Sequence, residues 1–139
     1  EAEVSEIDEA LEISRPLKAI NTHLKRALDL LSNRKSPDYR NSIKEAISAV
    51  EAICKIITKE EKVTLGQALK KIEDKVSLHP ALKNAFGSLY GYTSDAEGIR
   101  HALLGEPKLS FEDAKFMLVS CSAFINYLIS KASKAGIEI

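Results

Sequence analysis

Three residues of one short segment, Tyr92 to Pro107 (YTSDAEGIRHALLGEP), are of types that do acid–base and phosphate chemistry. On a helix, Glu97 lies one turn from both Arg100 and His101. A carboxylate so placed orients the imidazole and favours its charged form, while the arginine presents a planar fork of donors to a phosphate. Tyr90 and Tyr92, immediately upstream, can stack on a base or donate a hydroxyl. The same spacing also describes an exposed helix edge closed on itself by salt bridges, so spacing alone leaves both readings open.

A second constellation is basic. Arg34, Lys35, Arg40 and Lys44, with Tyr39 among them, suit a phosphate backbone. The whole chain balances 20 basic against 20 acidic residues, so no global field draws it to nucleic acid or a membrane. The balance is uneven along the sequence, however. Residues 1–14 hold six acids and no base, whereas residues 15–44 hold eight bases and two acids. That contrast fits a phosphate-facing surface, and it equally fits two solvated helices of opposite sign. His23, beside the packing positions Ile20 and Leu24, reads as a half-exposed surface residue, and His79, before Pro80, as a helix-end cap. Cys54 and Cys121 sit in apolar helical runs and read as small buried hydrophobes of a reducing compartment. Zinc-type Cys/His spacing, a P-loop, a dinucleotide-binding glycine pattern, a nucleophile elbow and HExxH are all missing from the sequence, so neither a metal nor a cofactor is expected.

The elements that must position these residues are helical almost throughout. An acidic lead helix spans roughly residues 4–13, and Pro16 suits the first position of the next, whose apolar face is Leu17, Ile20, Leu24, Ala27, Leu28 and Leu31. Asn33 to Asp38 is a turn. A helix from Tyr39 to about Lys59 carries Ile43, Ala46, Ile47, Val50, Ile53, Cys54 and Ile57 on one stripe. Thr64 to Gln67 reads as a capping box for a helix bearing Leu65, Leu69, Ile72 and Val76, and Pro80 opens a short helix through Leu82, Ala85, Phe86, Leu89 and Tyr90. Ser94 to Glu97 reads as a further box starting the helix that holds Arg100 and His101, which Gly105 and Pro107 stop. Ser110 to Asp113 caps the last helix, which runs to about Lys134 with Gly136 beyond it.

That last helix is apolar around most of its circumference, which makes it central to the bundle or shared with a second subunit. Ile47 and Phe124 are expected in the core. The pattern predicts an all-α, antiparallel helical bundle of about five to seven helices in a single domain over residues 1–139, led by the acidic segment 1–14. With no signal peptide and no unbroken apolar run of eighteen residues, a cytoplasmic protein off the membrane is expected. The acidic start without a methionine suggests a domain cut from a longer protein.

Residues 41–54 (NSIKEAISAVEAIC), 89–103 (LYGYTSDAEGIRHAL) and 111–127 (FEDAKFMLVSCSAFINY) resemble a HEPN-type helical domain. More closely, they resemble the C-terminal domain of AbiJ-like proteins of bacterial abortive-infection (anti-phage) systems. The resemblance covers roughly residues 20–130. It implies a helical bundle that forms a homodimer and binds RNA, preceded in the full protein by a separate N-terminal module. It also implies a metal-independent ribonuclease, whose usual motif is an arginine, a polar residue, three more residues and a histidine. Arg100 matches the arginine and His101 the polar position, but Gly105 stands where the histidine is expected. Either His101 takes over the acid–base work, with Glu97 in support and two copies meeting in a dimer cleft, or the domain is a non-catalytic dimerisation and sensing module. Under the first reading Arg34, Lys35, Arg40, Lys44, Tyr90 and Tyr92 bind the RNA.

Overall fold

The structure, a computed structural model, describes the backbone of residues 2–62, 65–94 and 109–139. Side chains are described over the same residues except 3, 65 and 90–94. The described elements are α1 (Ala2–Ile13), α2 (Lys18–Ser32), α3 (Tyr39–Thr58), α4 (Leu65–Lys75), α5 (Pro80–Ser94) and α6 (Phe111–Lys134). Among the described residues there is no strand, and the all-α helical bundle read from the periodicity is the architecture found. The chain divides into two compact units: Glu1–Ile53 with Leu109–Ser130, and Cys54–Lys108 with Lys131–Ile139.

In the first unit, α2 buries Ile20, Leu24, Ala27 and Leu31, a three-and-four spacing that puts one apolar stripe inward. Leu17 and Leu28, expected on that stripe, are half-buried at its margins. The helix begins at Lys18 and not at Pro16. Ser14–Pro16 form a tight turn instead, in which Leu17 N–H donates to the Ser14 carbonyl at 2.7 Å, and the missing proline N–H leaves no donor stranded there. Asn21 Nδ2 covers the α1 carbonyl of Leu11 at 2.8 Å.

The α2–α3 turn is built by two side-chain caps. Asn33 Oδ1 accepts from the backbone N–H of Lys35 and of Ser36, each at 3.0 Å. Asp38 Oδ1 accepts from Asn41 N–H at 3.0 Å, capping the first turn of α3. Ser42 Oγ, fully buried, donates across the seam to the Ala27 carbonyl at 2.7 Å. Residue 42 meets 27 and residue 45 meets 23, so α2 and α3 run antiparallel. Inside lie Ile43, Ala46, Ile47, Val50 and Ile53 of α3, with Met117, Leu118, Cys121, Phe124, Ile125 and Leu128 of α6. Ile47 and Phe124 are both core residues, as the pattern predicts. Asn126 of α6 ties to α1 by donating to the Glu6 carbonyl and carboxylate at 3.1 and 2.8 Å.

By length and composition α6 could cross a membrane; 44% of its most apolar stretch is buried within the chain, which is compatible with a soluble protein. The sequence criterion of an unbroken apolar run missed this because Ser120, Ser122 and Asn126 interrupt it without making it polar.

In the second unit, α4 buries Ala68, Leu69 and Ile72, continued by Val76 and Leu78. His79 caps a helix end, as expected, and that end is the start of α5: its Nδ1 accepts from Ala81 N–H at 3.1 Å, and Pro80 occupies the first helical position. Of the apolar positions expected on α5, Phe86 is buried, Leu89 is half-buried, and Leu82 and Ala85 are exposed. Ser94 is the last described residue of α5, and the capping box expected over Ser94–Glu97 lies outside the described residues beyond it. At the end of α6, Gly136 takes φ +73°, with its N–H on the Ser133 carbonyl at 3.1 Å and Ile137 N–H on Ala132 at 2.9 Å. This is the two-bond left-handed cap that glycine favours.

Candidate functional site

Four of the residues assigned to RNA lie on the α2–α3 hairpin of the first unit. Arg34 and Lys35 occupy its turn and are exposed, with the turn geometry fixed by the Asn33 cap. Arg40 and Lys44 follow on α3, four residues apart and so on one helix face, the first half-buried and the second exposed. None of the four holds an ion pair among the described residues. The acids beside them are already engaged. Asp38 spends its oxygens on the N–H and side-chain amide of Asn41, and Glu45 faces α2.

Tyr39, which lies between Arg34 and Lys44 in sequence, belongs to an aromatic pair. Tyr39, first residue of α3, stands edge-on to Phe111, first residue of α6, with ring centroids 6.3 Å apart and an interplanar angle of 72°. Phe111 is 45% exposed. Exposed aromatic rings and basic side chains are the two groups that single-stranded nucleic-acid sites combine, the ring stacking on a base and the charge meeting phosphate.

Glu45 forms a cluster that the sequence pattern does not single out. Its Oε2 accepts from His23 Nδ1 at 2.6 Å and its Oε1 faces Arg26 Nε at 3.4 Å. His23 is therefore half-exposed, as expected, but fixed across the helix seam and not a loose surface group. The signal lies in the hairpin register. Once Ser42 is set against Ala27, position 45 falls beside 23 and 24, flanking the apolar seam.

Glu97, Arg100 and His101 lie outside the described residues, as do the Thr64 cap and the stop at Gly105 and Pro107. Tyr90 and Tyr92 are within α5, their side chains outside the description. Among the described residues no group of three His, Cys, Asp or Glu side chains is placed to hold a metal ion. Cys54 and Cys121 are both buried and in no disulfide, and burial pushes the Cys121 thiol up to about 12. Such a thiol is not a nucleophile at neutral pH.

The chain matches no protein-family model, no curated protein and no solved structure.

Proposed function

We propose that this chain is an RNA-directed, HEPN-like domain of an anti-phage defence protein and works as a homodimer. One observation carries the reading: among the described residues Arg34, Lys35, Arg40 and Lys44 of one hairpin hold no ion pair, and Tyr39 of the same hairpin packs edge-on against the exposed Phe111 ring. Cations paired to their own carboxylates have little left to offer a polyanion, whereas unpaired ones release counterions when phosphates arrive. In this reading Arg100 and His101, with Glu97 in support, act on the phosphodiester. The His101 imidazole accepts the proton of a ribose 2′-OH as that oxygen attacks phosphorus. Arg100 stabilises the charge on the pentavalent phosphorus. The departing 5′-oxygen takes its proton from the imidazole of the second copy, leaving a 2′,3′-cyclic phosphate.

The test uses cellular RNA in metal-free buffer. The wild-type chain is expected to cleave it, and Arg100→Ala with His101→Ala to leave it intact. Reversing Arg34, Lys35, Arg40 and Lys44 to Glu is expected to weaken RNA binding. Log affinity against log salt should then flatten by about 0.7 for each phosphate of a single strand that the protein no longer neutralises. RNA left unbound by the wild type would refute the reading.

A second reading, a non-catalytic dimerisation and sensing module, is favoured by Phe116. This ring of α6 is 59% exposed, where a soluble surface gains little from a bare aromatic. RNA bound but not cut, by a dimer in light scattering, would select that module.

A further inference from the structure

We infer that His23 and Arg26 form a seat for a phosphate group on α2, with Glu45 of α3 as its positioning residue; as a seat for RNA phosphate it rests on the reading above. His23 and Arg26 are three residues apart on one helix and so share a face. Glu45 divides its two oxygens between them: Oε2 to His23 Nδ1 at 2.6 Å, Oε1 towards Arg26 Nε at 3.4 Å. A carboxylate only accepts, so the Nδ1 hydrogen is committed to Glu45. The ring then turns Nε2 away from the acid, and its imidazolium form donates there. The guanidinium faces Glu45 along its Nε edge, and among the described residues no ion pair engages its terminal amino groups, which can meet a ligand.

The depths of the three groups fit this division. The Glu45 side chain is 16% exposed, His23 33% and Arg26 64%. The acid is recessed between the helices and the two cationic groups stand outward from it. Anchoring each at one nitrogen removes rotamer freedom before a ligand arrives, so less is lost on binding. One phosphate oxygen is then met by the Arg26 fork and another by His23 Nε2–H. Lys25 and Lys44, next in sequence to Arg26 and Glu45, are exposed and add positive potential.

The rival explanation is a tie that merely holds α2 to α3, and the two differ in the sign of one effect. If only net charge matters, Glu45→Ala removes a negative group from a basic surface and tightens RNA binding. If Glu45 positions the seat, the same substitution weakens it. The experiment follows the His23 ring and Arg26 guanidinium NMR signals of the wild-type chain at about pH 6. Inorganic phosphate is added first, then separately a single-stranded oligoribonucleotide of about twelve nucleotides.

Both additions are expected to move the His23 and Arg26 signals together and leave His79 still. Glu45→Ala is expected to lower RNA affinity by about tenfold, with Glu45→Gln, which keeps an acceptor for Nδ1, losing less. His23 and Arg26 signals unmoved by phosphate overturn the seat whether or not any variant folds. Tighter RNA binding by a folded Glu45→Ala overturns it as well. Signals that move with phosphate in a chain that does not bind RNA keep the seat for a free phosphate ligand and overturn the RNA reading.

Discussion

Ser110 shows how a single hydroxyl sets the start of the longest helix. Its Oγ lies 3.4 Å from Asp113 N–H as acceptor and donates to Asp113 Oδ2 at 3.0 Å, while Asp113 Oδ2 also accepts Ser110 N–H at 2.9 Å. The reciprocal cap quiets donors that the first turn of α6 would otherwise leave open. Glu112, in the same turn, has its carboxyl held below the usual carboxylate range, chiefly by a hydrogen bond from its own backbone N–H and to a lesser degree by Ser110. Ser110 has one hydroxyl hydrogen, and the geometry gives it to Asp113, so the backbone is the cause that stands. The sign follows from the lowering. The folded chain holds the Glu112 proton less tightly than the unfolded chain, so this support is fully present above the unfolded value and disappears as pH falls through the folded one. Carboxyl NMR is expected to give Glu112 a midpoint below that of an unfolded-peptide glutamate. Ser110→Ala should cost about 1 kcal/mol in denaturant unfolding and move the Glu112 midpoint only slightly. A large upward move would mean that the hydroxyl, and not the backbone, holds the proton off.

Two helix ends, closed with different residues in the same backbone region, make a controlled pair. Gly136 follows α6 at φ +73°, where no Cβ is strained and nothing lies within 4 Å of an added one. Lys59 follows α3 at φ +58°, where its Cβ crowds the neighbouring carbonyl. Gly136→Ala is therefore expected to destabilise by about 1–2 kcal/mol, and Lys59→Gly to stabilise by roughly 0.5–1 kcal/mol once glycine's larger unfolded-state freedom is subtracted. Urea midpoints of the two variants check this, and a stabilising Gly136→Ala would contradict it. Local signals of this kind are what the sequence makes legible. The Asp38, Ser110 and Gly136 boundaries and the stripes of α2 and α3 are written in residue types at short range. Pro16 is ambiguous in sequence because one residue type serves two roles. A proline suits a turn as well as a helix start. The Glu45 cluster was hidden for another reason. Its partners are 22 and 19 positions away in sequence, and only the hairpin register brings them together.

The two compact units differ in how much interior they bring. The described core of the first draws on α1, α2, most of α3 and most of α6, whereas that of the second is Cys54, Ile57, Ala68, Leu69, Ile72, Val76, Leu78, Phe86 and Ala132. Only the ends of α3 and α6, from Cys54 and from Lys131, belong to the second unit. Opening it requires those last turns to fray and its own helices to part. The two cysteines report the two events separately. Cys54 opens the second unit's sequence and Cys121 sits at the centre of α6 in the first, both buried. With burial pushing its thiol up to about 12, native Cys121 stays protonated at pH 8, so reaction there reports opening. Thiol labelling at pH 8 over a urea series, read by mass at each cysteine and scaled to the unfolded rate, is expected to modify Cys54 first. The free energy of that opening should lie at least about 1 kcal/mol below the one that exposes Cys121, and should depend less on urea because less surface is uncovered. Identical opening energies and identical urea slopes at both sites would show instead that the chain opens as one cooperative body, with the shared helices carrying the loss of either unit into the other.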